Sequence, residues 1–152
     1  MTTTDGLDRP GTQPEPTQPQ PTQAQPTQAQ PIEVVHRRYV SYAEAHYAGN
    51  LVHGAYLVAL FGDVATELCI RTDGDEGLFA SYSDIQFLAP VRGGDVVEVR
   101  AILVRRGRRS RQIRFEAHVT CRGAPQRGAN AADVLAEPLL VATAVGTVVA
   151  PG

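Results

Sequence analysis

The sequence predicts an α+β domain in which one curved antiparallel sheet wraps a single long helix. Two observations predict this arrangement. One stretch near the middle of the chain carries apolar residues at helical spacing, and every later stretch alternates apolar and polar residues with the period of a strand. Hydrophobic residues make up 43 % of the chain, which suffices for one core in one domain.

The first 31 residues predict a disordered tail. They contain the repetitive run "PEPTQPQPTQAQPTQAQP" and no aromatic residue, so they offer little apolar surface to bury. The tail has neither the apolar segment of a signal peptide nor the arginine content of a transit peptide. We therefore expect a disordered Pro/Gln/Thr-rich tail at 1–31 and one folded domain at 32–152.

The first half of the domain predicts a strand, a turn and the helix. A short strand is expected at 34–42, followed by the turn "AEAHYAGN". The helix is expected at 51–71, and its apolar residues form two faces, which predicts burial on most sides. The turn "TDGDEG" ends the helix, since Gly74 and Gly77 can adopt positive φ.

The second half predicts strands. Alternation is present in "GLFASYSDIQFLAP", "GDVVEVRAILVRR" and "RQIRFEAHVTCR", and "EPLLVATAVGTVVA" is expected to be the last strand. The segment "GAPQRGANAADVLA" between the last two strands predicts an irregular loop. Successive antiparallel strands and one helix define the predicted fold class.

Composition excludes several function classes. The net charge is −2, and the charged residues of the tail account for all of it. The domain therefore has no excess positive charge that would favour binding to nucleic acid. No apolar run is long enough to span a membrane. The absence of lysine excludes Schiff-base lysine chemistry. Cys69 and Cys121 are expected to be free buried thiols of a cytoplasmic protein, and no metal-ligand spacing is present.

Several motifs resemble a known enzyme family. The stretch "FLAPVRGGDVVEVRAILVRRGRRSRQIRFEAHV" resembles hotdog-fold acyl-CoA thioesterases. Together, "AHYAGNLV", "LFGDVATELCIRTDGDEGLF" and "DIQFLAPV" resemble 3-aminobutyryl-CoA and β-alanyl-CoA ammonia lyases, over residues 36–119. In the lyase pattern an Asp takes the place of His53.

The resemblance implies a hotdog fold and an acyl thioester substrate. The thioester would be carried by coenzyme A or by an acyl carrier protein, so coenzyme A would enter as part of the substrate and no separate cofactor is expected. The resemblance also implies a homodimer or a higher homo-oligomer with its sites between subunits.

Small residues at the start of the helix predict an oxyanion site. Free amide groups and the positive end of the dipole lie at a helix N-terminus. Gly49, Asn50 and Gly54 would let a thioester carbonyl approach these amides. The alternative is that the glycines only permit a tight turn and close packing of the helix on the sheet.

Four side chains are candidates for proton transfer: His46, Glu44, His53 and Asp63. His46 is at the entrance of the helix and carries an imidazole, the side chain most often used for general acid–base catalysis. Asp63 is expected to be a buried carboxylate in the middle of the helix. The alternatives are structural. Glu44 would cap the helix, His53 would lie at a subunit contact, and Asp63 would bond to backbone or arginine.

An arginine-rich hairpin predicts a phosphate site. Guanidinium groups and turn amides suit the phosphates of coenzyme A, and strand alternation singles out Arg109, Ser110 and Arg111 from the run "RRGRRSRQIR". A solvated basic hairpin is the alternative.

The leading hypothesis is a carbon–nitrogen lyase that reversibly removes ammonia or another amine from C3 of a β-amino acyl thioester. The product would be a 2-enoyl thioester such as crotonyl-CoA. A thioesterase that activates water with Glu44 or Asp63 is the first alternative, and a non-catalytic acyl-CoA-binding protein is the second.

Overall fold

A computed structural model describes residues 31–150, together with Thr2. The predicted tail lies almost entirely outside the described residues, and the domain boundary stays a prediction. The elements in chain order are β1 (Glu33–Tyr39), a short 3₁₀ turn (Tyr42–Glu44), β2 (Ala45–Tyr47), β3 (Leu51–Val52), α1 (Gly54–Asp73), β4 (Leu78–Phe87), β5 (Val96–Arg106), β6 (Ser110–Gly123) and β7 (Ala132–Val149).

Five strands form one antiparallel sheet in the order β1-β5-β6-β7-β4, and β2 pairs with β3 in a separate ribbon. The central strands place alternate apolar residues on the face that covers α1, as their period-two pattern requires. Phe115 of β6 stacks on Phe61 of α1 with ring centroids 5.1 Å apart. This sheet wrapped around one helix confirms the predicted fold class.

Helix α1 begins at a residue without a side-chain cap and ends at a glycine. It begins after His53, whose extended backbone starts the helix without a side-chain cap, and ends at Gly74, whose φ of 70° suits glycine. Its buried residues recur every three or four positions: Leu57, Leu60, Phe61, Val64, Ala65, Leu68 and Cys69. The expectation of burial on most sides is wrong for the single chain, since Ala55, Ala59 and Asp63 are exposed.

Three boundaries differ from the predictions because strand pairing overrides local composition. The helix starts at Gly54 rather than residue 51, since Leu51 and Val52 pair with β2. The predicted turn 43–50 therefore contains a strand. Strand β7 begins at Ala132 because this part of the predicted loop pairs with the end of β6. Among the described residues, no helix combines the length and apolarity needed to cross a bilayer.

Candidate active site

A cavity of about 490 Å³ opens at the N-terminus of α1. We call it the helix-terminus cavity, and it is lined by Tyr47, Val52, Gly54, Leu57 and residues 87–91. Among the described residues, the amides of Gly54 and Ala55 have no hydrogen-bond acceptor, whereas the Tyr56 amide donates to the His53 carbonyl at 3.1 Å, and the His53 side chain caps none of them. An apolar cavity beside free amides and a positive helix end can hold an apolar acyl chain with its carbonyl oxygen at the helix.

Gly54 is required by the packing at this cavity. A methyl group added at Gly54 would lie 2.6 Å from Cζ of Phe87. The ring of Phe87 therefore lies directly against the first turn of the helix. It is 55 % exposed in the single chain, so it also forms a wall between the cavity and the outside.

Two imidazoles meet next to the helix-terminus cavity, at positions that adjoin the lining residues Tyr47, Val52 and Gly54 in the chain. The rings of His46 and His53 lie 5.2 Å apart, edge to face. His46 also contacts Tyr47, with centroids 4.7 Å apart, and Tyr47 lines the cavity. The β2–β3 ribbon causes this meeting, because it folds the chain back between the two histidines. The structure thus brings together His46, His53 and Gly54 from the predicted set.

Asp63 lies elsewhere on α1. It follows Gly54 by about 14 Å along the helix axis at 1.5 Å per residue, and its carboxylate lies 4.0 Å from the guanidinium of Arg38. The prediction that Asp63 is buried is wrong for the single chain, because its side chain is 60 % exposed. Its position on an amphipathic helix, on the side away from the core, explains the difference.

Glu44 lies in the 3₁₀ turn before the ribbon and is exposed. It faces Tyr56 of the first helical turn. Burial, helped by the Glu44 carboxylate and opposed by Arg38, raises the pKa of the Tyr56 hydroxyl. The sequence analysis did not single out Tyr56, which lies near Glu44 in the first turn of the helix.

The predicted oxyanion residues divide between two cavities. Gly54 lines the helix-terminus cavity, whereas Gly49 and Asn50 line a second cavity of about 460 Å³. Asn50 donates from Nδ2 to the carbonyl of Gly93 at 2.8 Å and accepts from the Gly93 amide at 3.1 Å. Of these three, only Gly54 is placed to serve a thioester carbonyl in the helix-terminus cavity.

The predicted phosphate residues lie at the other end of the helix. Arg111 is buried and binds Asp73 through Nε at 2.7 Å and through a second nitrogen at 2.5 Å. It also donates to the carbonyls of Gly107 and Ser110. Its donors are thus used to fasten α1 to the β5–β6 hairpin, which contradicts a role at a phosphate. Arg109 is exposed and Ser110 half-buried on that hairpin, about 28 Å of helix away from Gly54.

Residues 87–91 of the cavity wall were missed as site residues. Their sequence, "FLAPV", carries a signal, because two large apolar residues followed by proline end an edge strand and stay exposed. Phe87 and Leu88 are each 55 % exposed. Such exposed apolar groups around a concavity are typical of ligand sites.

The fold defines a hotdog-fold protein with a cavity at the start of its helix. The profile of the "Thioesterase superfamily" matches residues 49–124, and the chain belongs to this family.

Two relatives are more specific. A 3-aminobutyryl-CoA ammonia lyase of Acetoanaerobium sticklandii is 46 % identical over 112 residues, which are 74 % of this chain and 89 % of that protein. The structure of a β-alanyl-CoA:ammonia lyase from Clostridium propionicum is 39 % identical, with a TM-score of 0.73, over 77 % of this chain and 83 % of that one. The ammonia-lyase resemblance of the sequence is thus confirmed.

A more distant structure agrees in fold. It is an acyl-CoA hydrolase from Staphylococcus aureus in complex with butyryl coenzyme A and coenzyme A. It is 18 % identical with a TM-score of 0.63, and the match covers 80 % of this chain and 64 % of that one.

Proposed function

We propose that this protein is a carbon–nitrogen lyase that reversibly eliminates ammonia from C3 of a β-aminoacyl-CoA. The observation that carries the proposal is the pair of imidazoles next to a cavity that ends on free helix amides. The ammonia-lyase relatives support the same reaction. The products would be a 2-enoyl-CoA, such as crotonyl-CoA, and ammonia.

The geometry supports a division of roles. A base removes the proton at C2, and the carbonyl oxygen takes up the negative charge as an enolate. The enolate electrons then form the C2=C3 double bond while the C3–N bond of the protonated amine breaks, and its electron pair leaves with nitrogen as ammonia. The amide of Gly54 and the positive helix end stabilise the charged oxygen. His46 removes the C2 proton, since an imidazole changes charge near neutral pH. His53 lies against His46 and passes protons to and from it.

Asp63 reaches this reaction only from a second copy of the chain. Within one chain it is too far along α1 from Gly54, and its side chain is free to be covered by another subunit. A surface for such a contact is provided by the exposed side of α1 and by the exposed apolar residues Phe87, at the end of edge strand β4, and Leu88, which follows it. We therefore propose a homodimer, or a higher oligomer built from it.

Hydrolysis is the second candidate, because the family profile is that of the thioesterase superfamily. In that reaction Glu44 or Asp63 would activate water against the thioester carbonyl. We place either reaction in the cytoplasm, in keeping with the free thiols of Cys69 and Cys121.

One experiment separates the candidates. The protein is incubated with crotonyl-CoA and ammonium, and enoyl absorbance and free thiol are followed together. Loss of absorbance without thiol release is expected for the lyase, whereas thiol release would establish the hydrolase. If neither signal changes across a series of acyl chains, the catalytic proposal fails and acyl-CoA binding alone remains.

A further inference from the structure

The second cavity lies directly beside the helix-terminus cavity. We call it the loop cavity; it is lined by the 3₁₀ turn, the β2–β3 turn, the β4–β5 connection and the β6–β7 turn. A strip of backbone separates the two. Val91 lines the first cavity and the next residue, Arg92, lines the second, and Val52 and Asn50, two residues apart, are divided in the same way. The strip is held by the hydrogen bond from the Val52 amide to the Val91 carbonyl at 2.9 Å.

The loop cavity differs from its neighbour in chemistry. Its carboxylate, Asp95, is fully buried and neutralised by Arg122, which donates to it from Nε at 3.0 Å and from a terminal nitrogen at 2.8 Å. The amide of Arg92 also donates to Asp95, at 2.9 Å. The charges of Arg122 and Asp95 neutralise each other, so the net positive charge of the cavity lining comes from the side chain of Arg92.

Arg92 is exposed, and its guanidinium makes no hydrogen bond or ion pair with the residues that the structure describes. Most other arginines of the domain, including Arg37, Arg100 and Arg111, hold carboxylates. The wall of this polar cavity also contains Asn130 and the ring of Tyr42. A guanidinium that pairs with no carboxylate can bind an anionic oxygen group of a ligand in such a cavity.

We propose that the loop cavity binds the phosphate-bearing part of the thioester carrier, with Arg92 as its cationic contact. This inference rests on the proposed function, because it takes the carrier of an acyl thioester in the helix-terminus cavity to continue across the separating strip into the loop cavity. It places the phosphates at the β4–β5 connection rather than at the Arg109 hairpin. The phosphates come either from the nucleotide of coenzyme A or from the phosphopantetheine of an acyl carrier protein.

The test compares Arg92→Ala with Arg109→Ala in the full chain. For crotonyl-CoA, Arg92→Ala should raise KM by roughly ten-fold or more with little change in kcat, as expected for loss of one charge-assisted contact. Arg92→Lys should recover most of the affinity. Crotonyl N-acetylcysteamine thioester has no phosphate, so its kinetics should be the same in Arg92→Ala and the parent. An increase in KM for Arg109→Ala alone would overturn the inference.

Binding measurements keep this test independent of the reaction. Titration calorimetry with coenzyme A should show a weakened Kd in Arg92→Ala, and titration with pantetheine should not. If the lyase reaction is absent but this difference is found, the phosphate site stands and the proposed function fails. If the lyase is active and coenzyme A binds both proteins equally, the phosphate site is wrong.

A third substrate distinguishes the two possible sources of the phosphate. Crotonyl phosphopantetheine carries the single phosphate that both carriers share. An equal effect of Arg92→Ala on it and on crotonyl-CoA assigns the loop cavity to that shared phosphate. A larger effect on crotonyl-CoA assigns it to the nucleotide. Absence of an effect on both would overturn the inference.

The control is Arg108→Ala. Arg108 is an exposed arginine at the tip of the β5–β6 hairpin, outside both cavities, so its removal changes the net charge by the same amount without touching either site. The kinetics of Arg108→Ala should match those of the parent. A ten-fold rise in KM in this control as well would show that long-range charge and not a site governs binding, and would overturn the inference.

Discussion

At the scale of single residues, His46 and His53 are the groups best placed to move protons at the helix-terminus cavity. Their rings are in edge contact, and Tyr47 links His46 to the cavity wall. Both side chains are reached by solvent, so neither is needed to fill the core. Their meeting therefore has no explanation in packing, which favours a chemical role.

His46→Ala should lower turnover of the lyase reaction by roughly 10²–10⁴-fold, the usual contribution of a positioned acid or base. Folding should be retained because the side chain is exposed. His36→Ala is the matched control, since it removes an imidazole that pairs with Glu67 on another part of the helix. Steady-state kinetics and thermal melts check both variants. Near-full activity of His46→Ala would remove His46 from the mechanism.

At the scale of elements, α1 is fastened at both ends by different means. Gly54 lies under the ring of Phe87 at the N-terminus. At the C-terminus, Asp73 receives hydrogen bonds from Arg106 and Arg111 of the β5–β6 hairpin. The first contact shapes the helix-terminus cavity, whereas the second is remote from it and serves stability.

Alanine substitutions at two glycines of α1 distinguish an effect on the shape of the helix-terminus cavity from an effect on the stability of the fold. In Gly54→Ala the new methyl group displaces Phe87 and covers the helix amides, so kcat/KM should fall at least ten-fold. Gly62→Ala is the control in the same helix. Its methyl group meets no atom within 4 Å, so the free energy of unfolding should rise by up to about 1 kcal/mol. Urea unfolding and kinetics of both variants check this. Unchanged kcat/KM in Gly54→Ala would contradict the cavity as the reaction site.

The Asp73 contact predicts a loss of stability in acid. Hydrogen bonds from Arg111 lower the pKa of Asp73 from its usual 3.8 to about 2. A lowered pKa stabilises the fold above pH 4, and the contribution is lost as the pH falls through about 2. The lost free energy is about 2 kcal/mol. Urea unfolding of the parent and Asp73→Asn between pH 6 and pH 2 should show their difference shrink by this amount. A constant difference would contradict it.

Arg111→Ala belongs to the same contact. It leaves the Asp73 carboxylate, whose side chain is only 7 % exposed, with Arg106 as its one remaining cation and the Thr72 hydroxyl as a second donor. The free energy of unfolding should therefore fall by about 3 kcal/mol. The KM for crotonyl-CoA should stay at the parent value in molecules that remain folded. Urea unfolding and kinetics at a temperature below the melting point measure the two effects. An increase in KM without a loss of stability would restore the phosphate role of Arg111.

At the scale of the whole molecule, a single chain holds an incomplete set of the predicted groups. His46 and Gly54 lie at one end of α1, and Asp63 lies on an exposed side of its middle. A two-fold dimer creates two equivalent sites, each able to take His46 from one subunit and Asp63 from the other.

Mixing two inactive variants tests this arrangement. His46→Ala and Asp63→Asn should each be nearly inactive as pure proteins. After denaturation and refolding together in equal amounts, about a quarter of the parent activity should return, because half of the dimers are mixed and each holds one intact site. Light scattering checks that dimers form. Folded dimers without any recovered activity would show that both groups act within one chain, or that one of them does not act.

The sequence by itself determined the fold class, the family and the helix that carries the site. Helical spacing at 51–71 and period-two alternation in the second half of the chain suffice for the fold class, since each pattern records which face of an element is buried. The motifs between residues 36 and 119 indicated the family. They also placed His46, His53 and Gly54 together, because these residues are close in the chain and only a short ribbon intervenes.

Only the tertiary structure decided which distant residues share a site. Strand pairing carries residues 87–91 back to Gly54 and separates Asn50 from Gly54 into different cavities. The Asp73 carboxylate forms an ion pair with Arg111, whereas Arg92 has no carboxylate partner among the described residues. These outcomes depend on contacts between positions far apart in the chain, and no local pattern records which arginine will meet a carboxylate and which will face an open cavity.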